Sequence, residues 1–297
     1  MNLGIDLGGT KTAAIVLDGS ATVWEARRRT PRDDYAATID VIAALVAEGE
    51  RACGERCSVG MGMPGAISPA TGLVKNANST WLNGRPLKED LERRLGREVR
   101  LANDANCLAV SEAADGAAAG ADVVFGAILG TGVGGGIVVR GQVVTGVNAI
   151  AGEWGHNSLP WPTVDEVPGP PCYCGRSGCI ETFLSGPGLA RAYQARVGHA
   201  EIGEAIVALA AKGDAAAAAT IDEWTTRLAR ALASVINVLD PNVIVLGGGL
   251  SRLGHLYAAV PAQWGQWIFS DRVDTRLVPA TFGDASGVRG AAWLWAR

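Results

Sequence analysis

Three cysteines and a histidine form the clearest candidate metal site in the sequence. Cys172, Cys174 and Cys179 lie within one eight-residue stretch, and His156, one of only three histidines, precedes them. Thiolate sulfur and imidazole nitrogen are ligands of tetrahedral Zn²⁺, whereas cysteines separated by one residue are poorly placed for a disulfide. The alternative is three unliganded thiols on a loop, open to oxidation. Because four protein ligands leave no position for an activated water, the expected zinc site is structural.

A glycine turn near the start of the sequence could bind phosphate. In Asp6-Leu7-Gly8-Gly9-Thr10-Lys11 the two glycines leave backbone amides accessible, Thr10 adds a hydroxyl and Lys11 a positive charge, which together suit an anion. Asp6 ends an apolar run, where an unpaired carboxylate is costly, and a nearby Mg²⁺ would explain it. The other interpretation is an ordinary hairpin turn in which Asp6 caps backbone amides.

Two further glycine clusters follow apolar runs. They are Gly130-Thr131-Gly132-Val133-Gly134 and Gly247-Gly248-Gly249. None of the three clusters has the spacing of a Walker P-loop or a dinucleotide fingerprint, and the first continues into a strand rather than a helix. Three such clusters in one chain favour a bound nucleotide over three unrelated turns.

Asp104 is the candidate acid-base residue. It follows a short predicted strand and precedes a helical pattern. It could be a helix N-cap. It could equally orient a hydroxyl nucleophile and accept its proton late in phosphoryl transfer. The local sequence leaves both interpretations open.

A polyol substrate needs several polar side chains, because a buried site must satisfy its donors and acceptors. Taken singly, each candidate is more typical of a structural role. Together they make a set that suits a sugar: Asn103, Asp104, Glu153, His156 and Glu181. The zinc site would tie the loop that carries Glu181 to the segment that carries Glu153.

Strands and helices that could position these residues alternate along the chain. Short apolar runs predict strands at 3–5, 13–17, 123–129, 137–139 and 243–246. Helical patterns occupy 39–46, 87–95, the alanine-rich run 205–220, and 224–239. This alternation predicts an α/β fold with layered sheets. The repeated strand–glycine turn–strand unit predicts two related halves.

The composition excludes several classes of protein. The 297 residues are 48% hydrophobic, and 26 basic against 30 acidic side chains give a net charge of −4. Without a Lys/Arg-rich stripe, we expect no nucleic-acid partner. The absence of a targeting pattern or a long apolar span predicts a soluble, cytoplasmic protein with no membrane partner. Reduced cysteines are expected there, and Cys53, Cys57 and Cys107 are predicted to be ordinary thiols.

The motifs, taken together, resemble the ROK family of bacterial sugar kinases. The resemblance runs from Gly4 to the C-terminal GVRGAAWLW and is carried by DLGGTK, GMPG, NDAN, GTGVGGG, EWGH and CYCGRSGCIE, in that order. Three stretches are most similar to the fructokinase (manno(fructo)kinase) branch, namely 31–35, 75–84 and 181–183.

The resemblance implies a two-lobed, actin-like (ribonuclease-H-related) fold with ATP and sugar in the cleft between the lobes. The expected small lobe is 1–115 plus 286–297, and the expected large lobe is 116–285. Phosphates would be bound by the first two glycine turns, Gly8 to Lys11 and Gly130 to Gly134, and adenosine approached by Gly247 to Gly249. Asp104 would be the base. Sugar hydroxyls would be contacted by Asn103, Glu153, His156 and Glu181, and zinc held by His156, Cys172, Cys174 and Cys179.

The expected reaction is ATP- and Mg²⁺-dependent phosphorylation of D-fructose to fructose 6-phosphate. The alternative is a kinase for mannose, glucose or N-acetylglucosamine. A remoter alternative is a sugar-sensing transcriptional regulator, but such proteins carry a helix-turn-helix module before the glycine turn, and here only five residues precede Asp6. The family is commonly dimeric, which predicts a homodimer.

Overall fold

The computed structural model describes residues 1–295. Its strands are β1 (Asn2–Leu7), β2 (Lys11–Asp18), β3 (Ala21–Arg29), β4 (Ser58–Met63), β5 (Ala66–Ile67), β6 (Val74–Lys75), β7 (Val99–Asn103), β8 (Val123–Leu129), β9 (Val133–Val139), β10 (Gln142–Val143), β11 (Val243–Gly247) and β12 (Arg276–Pro279). Its helices are α1 (Tyr35–Cys53), α2 (Leu87–Leu95), α3 (Asp104–Ala114), α4 (Ile180–Leu184), α5 (Gly186–Val197), α6 (Gly203–Ala211), α7 (Ala215–Leu239), α8 (Leu256–Ala259) and α9 (Ser286–Trp293).

Two five-stranded sheets share one topology. The first has the order β3-β2-β1-β4-β7 and the second β10-β9-β8-β11-β12. In the first, β1 pairs antiparallel with β2 and parallel with β4, which pairs parallel with β7. In the second, β11 is parallel to both β8 and β12. The matching order agrees with the prediction of two related halves.

The first sheet brings polar residues at the ends of three strands to one edge. Because β1, β4 and β7 are parallel, their carboxyl ends meet there. The register pairs Asp6 with Gly62 and Gly62 with Ala102, so Asn103 and Asp104 follow at the same edge. Helix α1 packs behind this sheet with its predicted apolar face buried, including Ile42, Leu45 and Val46.

The chain divides into two compact units. Unit 1 comprises Met1–Asp122, Gly136–Gly152 and Ala280–Arg297, of which residues 296 and 297 lie outside the described part, and unit 2 comprises Val123–Gly135 and Glu153–Pro279. This division differs from the expected 1–115 plus 286–297 and 116–285, because contacts distant in sequence decide it.

Two of those contacts are visible within unit 1. A Cβ at Gly136 would lie 2.5 Å from the carbonyl oxygen of Ala105, so only glycine allows the middle of β9 to approach α3 this closely. The fully buried carboxylate of Glu112 on α3 accepts hydrogen bonds from the backbone amides of Thr281 and Phe282. These contacts place 136–152 and 280–285 with unit 1.

The alanine-rich run 205–220, predicted as one helix, is interrupted. Helix α6 ends at Ala211 and α7 begins at Ala215. Between them Gly213 has φ +91°, and the Asp214 side chain accepts a hydrogen bond from the Ala217 amide at 2.7 Å. Gly213 adopts a conformation that L side chains rarely take, and Asp214 caps the next helix, so local chemistry overrides the helix propensity of alanine.

Within residues 1–295, no helix is long and apolar enough to cross a membrane.

Candidate functional site

The first glycine turn closes the β1–β2 hairpin, as predicted. The Gly8 amide donates to the Lys11 carbonyl at 3.0 Å, and a Cβ at Gly8 would lie 2.8 Å from that oxygen. The Thr30 hydroxyl donates to the Gly8 carbonyl at 2.8 Å. Thr10 and Lys11 are exposed. Gly8 is therefore required by the turn itself, while the two exposed side chains remain suited to an anion.

Asp6 is a carboxylate in tight surroundings. A Cβ at Gly287 would lie 3.1 Å from its Oδ2, and one at Gly62 would lie 3.7 Å from its Oδ1. Burial, followed by the negative charge of Asp104, raises the pKa of Asp6 to about 6, and Arg27 opposes the shift. A cation at this edge would offset both effects by favouring the charged carboxylate, so Asp6 fits a position near Mg²⁺.

Asn103, and not Asp104, is the N-cap of α3. The Asn103 Oδ1 accepts from the Ala105 amide at 2.9 Å, and its Nδ2 donates to the Gly65 carbonyl at 3.2 Å. Asp104 is the first residue of the helix, is exposed, and accepts from the Ala105 amide at 2.8 Å. The N-cap interpretation of Asp104 is thus wrong, and the helix N-terminus favours its negative charge.

The second glycine turn is shaped around Glu181. The Gly130 amide donates to the Gly132 carbonyl at 3.0 Å, and the Val133 amide donates to Glu181 Oε2 at 2.8 Å. A Cβ at Gly132 would lie 2.6 Å from the same oxygen, whereas one at Gly130 would meet open space. Gly132 is therefore explained by the carboxylate beside it, and Gly130 is the residue that leaves room beside the turn.

The third cluster follows β11. Gly248 has φ +85°, and a Cβ there would lie 2.4 Å from the Leu129 carbonyl oxygen on β8. A Cβ at Gly249 would meet open space. Packing against β8 therefore requires glycine at position 248, whereas the space beside Gly249 could accommodate a ligand.

Glu153 is the N-cap and His156 the last residue of a short 3-10 turn, Trp154–His156. The Trp154 indole donates to the Gly134 carbonyl at 2.8 Å, and a Cβ at Gly155 would lie 2.1 Å from the Val133 carbonyl oxygen. The predicted sugar contacts therefore divide by unit: Asn103 and Asp104 lie together in unit 1, and Glu153, His156 and Glu181 lie in unit 2.

The four predicted zinc ligands form one cluster. Their donor atoms all lie within 4.8 Å of one another, with His156 Nδ1 and Cys172 Sγ 3.6 Å apart and Cys174 Sγ and Cys179 Sγ also 3.6 Å apart. A tetrahedral zinc ion with bonds of about 2.0–2.3 Å separates its ligands by roughly 3.4–3.8 Å. The donor set and its spacing therefore fit zinc, and a cation would also favour ionisation of Cys179, whose pKa burial raises to about 12.

A buried ion-pair network that the sequence motifs did not indicate surrounds Glu166. Arg230 donates to both carboxylate oxygens of Glu166 at 2.7 and 2.9 Å, and Arg227 donates at 2.8 Å. Burial alone would raise the pKa of Glu166, but the hydrogen bonds from Arg230 and Arg227 outweigh it and lower the pKa to about 2. The Thr-x-x-Glu spacing of Thr163 and Glu166 is a capping-box signature, which indicates the start of the short 3-10 turn but not the ion pairs with distant arginines.

Comparison with known proteins decides the family. The family model described as "ROK family" matches residues 2–297. The chain belongs to the ROK family. It is 40% identical over 299 residues to the N-acetyl-D-glucosamine kinase of Yersinia pseudotuberculosis, covering 99% of this chain and 98% of that one.

Two solved ROK structures resemble this protein closely. The ROK hexokinase from Thermus thermophilus has a TM-score of 0.89 and 30% identity, covering 99% of this chain and 97% of that one. The ROK glucokinase from Streptomyces griseus in complex with glucose and AMPPNP has a TM-score of 0.77 and 30% identity, covering 98% and 97%. They confirm the predicted α/β fold class, that of the actin-like ATPases.

The predicted family is confirmed, and the predicted branch is not. The relatives described above are sugar kinases, but the one from Yersinia pseudotuberculosis is an N-acetyl-D-glucosamine kinase and not a fructokinase. The homodimer, the cytoplasmic location and the absence of nucleic-acid and membrane partners stay predictions.

The raised pKa of Asp6 predicts a pH-dependent stability. The folded state binds the Asp6 proton more tightly than the unfolded state, with a pKa of about 6 against 3.8. Ionisation therefore costs stability progressively as the pH rises from about 4 through 6. In buffer without Mg²⁺ or nucleotide, Asp6→Asn is expected to raise the free energy of unfolding by about 1–3 kcal/mol at about pH 7.5.

Urea unfolding of wild type and variant across this pH range checks the prediction. The gain should shrink as the pH falls to about 4, because wild-type Asp6 is then largely protonated. Asp18→Asn, at the exposed end of β2, is the control. An Asp6→Asn protein less stable than wild type at neutral pH would contradict the assignment.

The cysteine cluster predicts about one zinc ion per chain in purified protein. Cys174→Ser should lower the zinc content and the Tm, because one of four ligands is lost, whereas Cys53→Ser, in unit 1, should change neither. Elemental analysis and thermal unfolding with and without a chelator measure both. Wild-type protein that is metal-free and equally stable would contradict the site.

Proposed function

We propose that this ROK protein transfers the γ-phosphoryl group of ATP to a hydroxyl of a free hexose. The observation that carries the proposal is the position of Asp104. Asp104 is the exposed first residue of α3, and α3 begins at the same sheet edge as the Asp6–Lys11 turn. An acid-base residue and an anion-binding turn are the two parts that phosphoryl transfer to an alcohol requires.

Asp104 would act on the sugar hydroxyl. Its carboxylate orients the nucleophilic oxygen and accepts the proton as the bond to phosphorus forms. Asn103 next to it has one Nδ2 hydrogen on the Gly65 carbonyl, which leaves the second for a sugar oxygen. Glu153, His156 and Glu181 would supply further sugar contacts from unit 2.

The three glycine clusters would bind the nucleotide. The turn from Gly8 to Lys11 would contact phosphate through the Gly9 amide and the side chains of Thr10 and Lys11, with Gly8 shaping the turn, and Gly130 to Gly134 would form a second phosphate-binding turn. Gly247 to Gly249 would lie near adenosine, with Gly249 the residue that leaves space. Mg²⁺ bound with ATP would neutralise charge on the transferred phosphoryl group, with Asp6 as its neighbour.

The zinc would be structural. With His156, Cys172, Cys174 and Cys179 as ligands, no position remains for a reactive water. Its role would be to fix the loop before α4, and hence Glu181, relative to His156. The ion would therefore support sugar binding without taking part in phosphoryl transfer.

Two hexoses are the leading substrates. N-acetyl-D-glucosamine is supported by the 40% identical relative that spans 99% of this chain. D-fructose is supported only by the three branch-like stretches 31–35, 75–84 and 181–183. The relatives thus favour the first sugar, while both share a primary hydroxyl at C6 that Asp104 could activate.

A substrate panel tests the proposal and separates the two sugars. We expect N-acetyl-D-glucosamine or D-fructose to give a kcat/KM at least about tenfold above glucose and mannose, since a polar site rejects a sugar that leaves its donors unpaired. ATP consumption and the identity of the sugar phosphate are the readouts. Failure to phosphorylate any of the four would contradict the proposed function, and a tenfold preference for glucose or mannose would contradict both substrate assignments.

Asp104→Asn should lower kcat by more than about 100-fold while leaving hexose binding within about threefold of wild type. The amide keeps the size of the side chain but cannot accept the proton. Calorimetric titration with hexose and steady-state kinetics measure the two quantities separately. Asp122→Asn, remote in sequence from the α3 N-terminus, is the matched control, and retention of wild-type kcat by Asp104→Asn would remove Asp104 from its role.

A further inference from the structure

Tyr173 lies between two zinc ligands and reaches a third. Its hydroxyl oxygen is 3.0 Å from His156 Nε2, and the two rings meet edge to face with centroids 5.1 Å apart. The cysteine motif alone assigns Tyr173 no role beyond its place between Cys172 and Cys174. In the structure its hydroxyl lies within hydrogen-bond distance of His156, a residue predicted to contact sugar.

A tight hairpin holds Tyr173 in this position. The Cys172 amide donates to the Arg176 carbonyl at 2.8 Å, and the Gly175 amide donates to the Cys172 carbonyl at 3.0 Å. Pro171 and Ser177 form an isolated antiparallel bridge just outside this turn. The backbone of Tyr173 is thus fixed by the turn that also presents the cysteines.

The side chain of Tyr173 is open to a ligand beside His156. Tyr173 is 80% exposed, although its hydroxyl lies within hydrogen-bond distance of the imidazole. Most of its ring can therefore be contacted from outside.

A zinc ion on His156 would determine which group donates in the hydrogen bond between His156 and Tyr173. Because Nδ1 faces Cys172 Sγ at 3.6 Å within the metal cluster, a zinc-bound imidazole carries its proton on Nε2. In the absence of sugar, Nε2–H then donates to the Tyr173 oxygen, and the Tyr173 O–H is left to donate to another acceptor. A sugar oxygen beside both groups would accept from the Tyr173 O–H and share the Nε2 proton of His156. Hydroxyl oxygens of a sugar are acceptors of the required kind.

We propose that Tyr173 is a sugar-contacting residue that helps to determine specificity. Its hydroxyl donates to an oxygen of the hexose, and its exposed ring covers one side of the bound sugar. The inference rests on the proposed hexose kinase function and adds to it a residue that none of the motifs assigned to sugar binding. It applies to whichever hexose the protein prefers.

Tyr173→Phe tests the hydrogen bond. It keeps the ring and removes only the hydroxyl, so the KM for the preferred hexose should rise about three- to tenfold, with kcat changed by less than about twofold. Calorimetric titration with the hexose in the absence of ATP should show the same loss of affinity. Tyr35→Phe, which removes a hydroxyl that donates to Asp90 in unit 1, is the matched control and should leave KM unchanged.

Tyr173→Ala tests the ring. Besides raising KM, it should reduce the kcat/KM ratio between the preferred and the next-best hexose by at least about threefold, because one side of the sugar is no longer contacted. Phe269→Ala, which removes a fully exposed ring elsewhere in unit 2, is the control for loss of an aromatic side chain. Zinc content by elemental analysis should equal that of wild type in both Tyr173 variants.

Two results would overturn the inference. The first is hexose affinity and specificity in both variants equal to wild type. The second is loss of zinc from Tyr173→Phe in proportion to its loss of affinity, which would show that the hydroxyl only maintains the metal loop. These outcomes differ from failure of the proposed function, in which wild-type protein phosphorylates no hexose at all.

Discussion

The carboxylate of Glu181 links the second glycine turn to the segment that runs from the cysteine loop into α4, which is far away in sequence. It accepts the Val133 amide at 2.8 Å and occupies the space where a side chain on residue 132 would stand. Two residues earlier, Cys179 belongs to the cluster of candidate zinc ligands. The glycine turn, the cysteine loop and the start of α4 must therefore be correctly placed together, because displacing any one of them would leave a charge or an amide without its partner.

Buried carboxylates anchor the irregular segments in a similar way. Glu112, with no exposed surface, accepts hydrogen bonds from the Ser286 hydroxyl at 2.8 Å and from the amides of Thr281 and Ala117. Glu166 is paired with Arg227 and Arg230. A buried charge is tolerated when donors satisfy it, and losing one partner is strongly destabilising. These groups thus hold loops in place through hydrogen bonds and ion pairs.

Much of the fold could be predicted from local patterns. The β1–β2 hairpin, α1, α2 and β11 all lie where apolar periodicity and glycine or proline boundaries place them. Prediction was wrong where two local preferences compete, as at Gly213 and Asp214 in the alanine-rich run. At the start of α3 the local sequence left the role of Asp104 open, and the hydrogen bond from the Ala105 amide to Asn103 Oδ1 shows that Asn103 is the N-cap.

The sequence by itself determined the family, the fold class and the identity of the candidate metal ligands, because these depend on residue types at short spacings. Only the tertiary structure decided why particular glycines are needed: Gly132 because of Glu181, and Gly248 because of β8. It alone placed the Tyr173 hydroxyl on His156, 17 residues away in the chain. Such contacts depend on side-chain direction and on the path of distant segments, and local periodicity predicts neither of them.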